Sequence, residues 1–150
     1  MNKKKHNSVL IGVAGEYLVA GELSRKGYIA SITRRNSKGV DILVSNQEAK
    51  KTRGIQVKSN RGSRRAWVLN QKAENYFAPN LYYVFVNLNS GESADFYIVP
   101  SKVVAKFIKK EHSDWLKARG KKGQKHHDNP MRIFKDKDEE YLNRWDLLKL

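Results

Sequence analysis

The sequence predicts one domain of the α/β (or α+β) class, with a central mixed β-sheet flanked by helices. Three observations predict it. A helical pattern opens the chain, short apolar runs of strand length fill the middle, and a second helical pattern follows the last of them. The length, 150 residues, is the usual size of one domain and enough for one real core. Hydrophobic residues make up 39% and charged residues 30%. That balance suits a folded domain with exposed basic segments rather than a disordered chain.

No internal repeat is visible. Residues 1–7 read as a disordered basic tail, and residues 8–150 as the single domain. Ser8 can cap a helix that runs to about Lys26 and stops at Gly27. Leu10, Val13, Ala14, Tyr17, Leu18 and Gly21 follow the spacing of one helical face and are its expected buried stripe. Tyr28 to Thr33, Gly39 to Ser45 and Gly54 to Ser59 read as strands. The polar segment Asn46 to Arg53 should join the last two as an antiparallel hairpin. Arg65 to Leu69 suggests a fourth strand, and Leu81 to Leu88 is the strongest of all. Phe96 to Val99 follows across an Asn-Ser-Gly turn and ends at Pro100. Ser101 is placed to cap a second helix reaching about Arg119. A basic loop is expected around residues 117–135. A C-terminal helix should follow, with Asp138, Glu139 and Glu140 in its first turn and Leu142, Trp145 and Leu148 on its buried face.

The charge balance narrows the function. Lys plus Arg number 30 against 15 Asp plus Glu, a net charge of +15. Solubility alone needs a magnitude of only about 2–8 for a small domain. The excess points to a polyanionic partner, nucleic acid first, because neutralised phosphates release their counterions. With no cysteine in the sequence, disulfides, thiolate zinc sites and thiol catalysis are excluded. The stretch after the basic N-terminus carries Glu16 and Glu22, so it reads as a helix rather than a secretory leader. No run of about 18 apolar residues is present to span a membrane. A cytoplasmic protein with no membrane partner is the expectation.

Strand alternation then assembles a polar cluster. In the third strand Ile55 and Val57 face one way, so Gln56 and Lys58 face the other. In the second strand Asp41 lies opposite Val40, Ile42 and Val44. If the hairpin closes symmetrically near residues 49–50, Asp41 comes level with Lys58, with Gln56 one step along. A carboxylate, an amide oxygen and an ammonium would then share one surface. Oxygen donors of this kind suit Mg²⁺. The neighbouring lysine could orient a water or steady developing phosphorane charge. A buried Asp41–Lys58 salt bridge is the plainer alternative, but buried ion pairs stabilise poorly and so call for a reason. Glu16 shares a helical stripe with Val13, Ala20 and Leu23, and no base stands three or four residues from it. Glu22, by contrast, has Arg25 and Lys26 at those spacings. Pointing toward the strand pair, Glu16 could add a second carboxylate.

These residues carry a resemblance. The helix bearing Gly15-Glu16 and Gly21-Glu22-Leu23 closes on Lys26-Gly27-Tyr28. Gly39-Val40-Asp41-Ile42-Leu43-Val44 follows, and then Ile55-Gln56-Val57-Lys58. The whole resembles the core of the PD-(D/E)xK nuclease superfamily, in the layout of archaeal Holliday-junction resolvases and Mrr-like restriction nucleases. It covers about residues 12–60, roughly a third of the chain. The resemblance implies a restriction-endonuclease-like domain with an αβββαβ core. It implies a metal-dependent nuclease that hydrolyses phosphodiester bonds of nucleic acid, DNA being favoured over RNA, with Mg²⁺ or Mn²⁺ as cofactor. Asp41 would match the metal-binding aspartate, Lys58 the catalytic lysine and Glu16 the helix-one glutamate. Gln56 departs from the commoner Asp or Glu. Its carbonyl oxygen can still face a metal, but one negative charge is gone, which leaves a catalytically inactive binding module as the alternative. Resolvase-like relatives are dimers, so a homodimer is an expectation of the resemblance and not of the residues.

Basic residues surround the cluster. Arg34, Arg35 and Lys38 approach Asp41 from one side, and Arg61, Arg64 and Arg65 follow Lys58 on the other. Phosphate positioning is their expected role. Lys117, Arg119, Lys121, Lys122 and Lys125 form a second cluster. His112, His126, His127 and Asp128 lack a metal-site spacing. Trp67, Tyr76 and Tyr82 could stack on bases, although core packing explains such aromatics more simply.

Overall fold

Alternation along one strand sets the architecture. In the computed structural model, which describes residues 7–34 and 37–150, all seven residues of Leu81–Asn87 are buried. Tyr82, Val84 and Val86 enter one core with Ile42, Val44, Ile55 and Val57. Tyr83 and Phe85 enter a second core on the opposite face, with Trp67, Ile108 and Phe134. A strand covered on both faces reads as a continuous apolar run, and this one does.

The elements in chain order are α1 (Ser8–Arg25), β1 (Ile29–Ile32), β2 (Ile42–Ser45), β3 (Thr52–Asn60) and β4 (Ala66–Asn70). Then come β5 (Leu81–Asn87), β6 (Asp95–Pro100), α2 (Ser101–Lys117) and β7 (Met131–Lys135). The central sheet has the order β1-β2-β3-β5-β6. Only β3 and β5 run parallel, so the sheet is mixed, as expected. Helix α1 packs on β1 and β3, and its Val19 and Leu23 enter the first core. The second core draws Val104 and Ile108 from α2. The architecture is thus a central mixed sheet with helices on both faces and a small two-stranded sheet, β4 with β7, beside it. No helix among the described residues is long and apolar enough to cross a membrane.

Several elements differ from the sequence expectation. The parallel β3–β5 connection contains β4 and a short 3₁₀ turn (Gln71–Asn75) rather than an α-helix. Strand β4 leaves the central sheet and pairs with β7, which falls inside the segment expected to be a loop. In β7 the inward positions are Arg132 and Phe134, and a charge at an inward position hides the alternation. Arg132 is tolerated there because its Nε donates to Glu74 Oε1 at 2.5 Å and its Nη1 donates to the carbonyls of Asn129 and Met131.

The expected C-terminal helix is absent. Residues Glu139 and Asn143 adopt positive φ of 55° each, and only a 3₁₀ turn (Trp145–Leu148) forms. The Asp136 carboxylate accepts from the N–H groups of Glu140 and Tyr141, which offers this backbone an alternative to helix. Trp145 and Leu148 are buried nonetheless.

Both long helices start differently as well. Asn7, not Ser8, caps α1, accepting from Val9 N. Ser101 opens α2 without capping it, because its hydroxyl exchanges bonds with the backbone of Ala78. The buried stripe of α1 is Gly15, Val19 and Leu23, while Leu10, Tyr17 and Leu18 are exposed. A helix that is apolar nearly all round does not reveal its inward face by spacing. Apart from Asn7, the expected tail lies outside the described residues, as does Arg35.

Candidate active site

The site is built where β2 and β3 part. Their ladder runs from Ser45 with Thr52 to Ile42 with Ile55. Asp41 still donates its N–H to Ile55 O at 2.8 Å. Two residues further along β3, the N–H of Val57 donates at 2.7 Å to Asp41 Oδ2, a side chain instead of a strand carbonyl. The carboxylate is therefore fixed in the opening between the strands. Thr33 ties this end to β1, donating its N–H to Asp41 O and its hydroxyl to Val40 O.

The register differs from the expected one. The hairpin centre falls between Glu48 and Ala49, one position early. Asn46 sets it, because its Oδ1 accepts from the N–H groups of both Lys50 and Lys51. Asp41 lies just beyond the last ladder pair, where its N–H still meets Ile55 O, and so does not come level with Lys58. Moving a hairpin centre by one residue moves each partner by two, so side chains keep their faces. Gln56 and Lys58 keep the face opposite Ile55 and Val57, level with Tyr83 and Phe85 of β5. Lys58 is close enough for its charge to act on the Asp41 carboxyl.

Glu16 comes to the neighbourhood of Asp41 from α1. The two carboxylates line one hollow of about 220 Å³ together with Gly12, Val13, Thr33 and Arg34. Gln56 and Lys58 do not line this hollow, so Asp41 is the joint between the two pairs. Gly15 makes the approach of α1 feasible. A Cβ there would stand 1.8 Å from Ser59 Oγ and 3.4 Å from Val57 Cγ1. Gly15→Ala is therefore expected to cost about 1–3 kcal/mol by overpacking and to push Glu16 away from Asp41. Urea unfolding checks the first effect and cleavage assays the second.

Electrostatics single out Asp41. Burial pushes its carboxyl above the usual carboxylate range, against the Val57 N–H bond and the Lys58 charge, which both hold it down. Ionising it in the folded protein thus costs stability at neutral pH. That cost vanishes as the pH falls below the ordinary carboxylate value, where folded and unfolded states are both protonated. Asp41→Asn is expected to be more stable than the wild type at pH 7. The difference should shrink as the solution is acidified toward pH 3, which denaturant melts across that range would read.

Tyr83 belongs to the surroundings and escaped the sequence reading. Its phenol is pushed up to about 12, first by burial and then by Tyr76 and Asp41. It stays protonated at neutral pH. Its level position with Gln56 across the β3–β5 pairing was the available signal. Tyr76 lies over Gly39, where φ is +73° and a Cβ would stand 2.4 Å from its ring. Trp67 and Tyr82, considered for base stacking, are core residues at 1% and 7% exposure.

The expected phosphate contacts divide. Arg34 borders the Asp41 hollow, and Lys38 precedes Gly39 in the loop under Tyr76. Arg61 and Arg64 are exposed on the loop leaving β3. Arg65 is engaged with Glu139 at 2.5 Å and with Lys137 O at 2.8 Å. Of the histidines, His112 meets Asp128 at 2.7 Å, and His126 lies against Trp115.

The donor set that lines the hollow is hard: the carboxylates of Asp41 and Glu16. Among the described residues no three His, Cys, Asp or Glu side chains gather as a ligand group. Mg²⁺ needs only one or two carboxylates and keeps several waters, so these residues fit it. A carboxylate that burial makes reluctant to ionise is one that a cation would favour.

No family model matches the chain, and no curated protein matches it in sequence. Among solved structures it is similar to Hjc, a Holliday junction resolvase from the archaeal hyperthermophile Archaeoglobus fulgidus. Identity is 12%, the match covers 83% of this chain and 84% of that one, and the TM-score is 0.47.

Proposed function

We propose that this chain is a metal-dependent nuclease acting on DNA, with Asp41, Glu16, Gln56 and Lys58 as its site. The observation that carries the reading is the Asp41 carboxylate, held by Val57 N–H in the gap between β2 and β3. A second carboxylate, that of Glu16, lines the same hollow, and the Lys58 ammonium is close enough for its charge to act on it. Asp41, Glu16 and the Gln56 amide oxygen would hold Mg²⁺ or Mn²⁺. When bound, such an ion supplies Lewis-acid polarisation of a phosphoryl oxygen. Lys58 orients the attacking water and stabilises the charge that grows on the phosphorane oxygens. Arg34, Lys38, Arg61 and Arg64 neutralise backbone phosphates and set the strand's register, with Arg35 and Arg65 as further candidates. The net charge of +15 supports a polyanionic substrate of this kind.

Gln56 favours a second reading. Without the customary carboxylate the site has one negative charge fewer, which suits a module that binds nucleic acid without cutting it. Nicking of supercoiled plasmid separates the two. Metal-dependent nicking by the wild type, lost on chelation and in both Asp41→Ala and Lys58→Ala, supports the enzyme. Retention of plasmid without nicking supports the binding module.

A further inference from the structure

A second hollow, of about 290 Å³, lies between the C-terminal half of α2 and the β4–β7 sheet. Trp115, Met131, Ile133 and His112 supply its apolar and ring surface, and Arg64 and Asn129 contribute polar groups. It shares no lining residue with the hollow at Asp41. We infer that it receives an unpaired base of a DNA strand, an inference that rests on the proposal that DNA is the substrate.

Preorganisation is the first argument. Trp115 is 37% exposed, yet its ring is held. The His126 ring lies 4.2 Å from it at 25°, and His126 Nδ1 is bonded to Trp115 O at 2.8 Å. The His112 ring stands 5.5 Å away at 26°, anchored by Asp128. An aromatic surface already fixed loses little entropy when a flat partner stacks on it. Charge is the second argument. The acidic groups here are answered within the protein, Glu111 by Lys135 and Asp128 by His112. Lys117, Arg119, Lys121, Lys122 and Lys125 remain exposed between the end of α2 and the hollow's Asn129. An aromatic pocket beside a cationic loop fits a base and the phosphates flanking it. Asn129 is the third. Its Oδ1 accepts from Met131 N, which leaves the amide NH₂ as a donor for a base edge. The size stands near the lower end for small-ligand pockets, as one base requires.

The test uses the full chain with Asp41→Ala in metal-free buffer, so that binding is read without cleavage. The probes are a blunt DNA duplex and the same duplex with one unpaired 2-aminopurine. Trp115→Ala is expected to weaken binding of the bulged duplex about tenfold, leave the blunt duplex within about twofold, and abolish quenching of the 2-aminopurine. Trp115→Phe should retain the quenching. Met131→Glu, at a position 50% exposed and so tolerant in folding, should reproduce the loss by placing a negative charge in the hollow. Equal weakening on both duplexes, or quenching that survives Trp115→Ala and Met131→Glu, overturns the inference. Neither result bears on whether Asp41 supports cleavage.

Discussion

Asp41→Ala and Lys58→Ala will both lower the cleavage rate by at least about 100–1,000-fold, the usual consequence of losing one charge-stabilising group, but they will differ in metal binding. Asp41 is the joint between Glu16, which lines the same hollow, and Lys58, whose charge acts on it. Its removal takes away a carboxylate from the metal set and leaves Val57 N–H without its acceptor. Lys58 offers no lone pair to a cation while protonated, so Lys58→Ala should retain Mn²⁺ binding and DNA binding while losing turnover. Calorimetric Mn²⁺ titration beside a single-turnover rate reads both quantities. Equal loss of Mn²⁺ affinity in the two variants would contradict the assigned roles.

Trp67→Ala will produce the largest loss of stability of any single truncation, about 3–5 kcal/mol. Trp67 is 1% exposed and joins the small sheet to the large one. Its ring stands 5.0 Å from those of Phe85 and Tyr97 and 6.4 Å from that of Phe134. Its Nε1 also donates to Val86 O at 3.2 Å. Truncation opens a cavity among aromatic rings and removes one hydrogen bond to the central strand. Urea unfolding at pH 7 should show the midpoint falling with little change in slope. A change below about 1 kcal/mol would mean that β4 and β7 contribute little to the second core.

The legible parts of this chain were those governed by short-range rules. Alternation in Ile55-Gln56-Val57-Lys58 separates a core face from a polar face whatever the partner strand. The error in the hairpin centre left that separation intact because it moved the partners by an even number of residues. The strand Leu81–Asn87 announced itself because both its faces are buried. What stayed hidden depends on distant partners. The buried Arg132 needs Glu74, far away in the chain, before β7 can be recognised as a strand. The inward face of α1 is chosen by the fit of Gly15 against Ser59 and Val57, not by hydrophobicity. The C-terminal acidic run looks like a helix start until the Asp136 carboxylate captures its backbone. The hollow that Glu16 shares with Asp41 depends on the end of the β2–β3 ladder, where the Asp41 carboxylate takes the place of a backbone acceptor for Val57 N–H.

The most direct test of the central claim is a cleavage assay on protein first stripped of metal by chelation. Labelled single-stranded, duplex and branched DNA are incubated with the wild type before and after addition of Mg²⁺ or Mn²⁺, with Asp41→Ala alongside. Cleavage of at least one substrate that begins on metal addition, stops on renewed chelation and is absent in the variant is the predicted result. Binding of these substrates by the wild type without cleavage of any of them, under either ion, would contradict it.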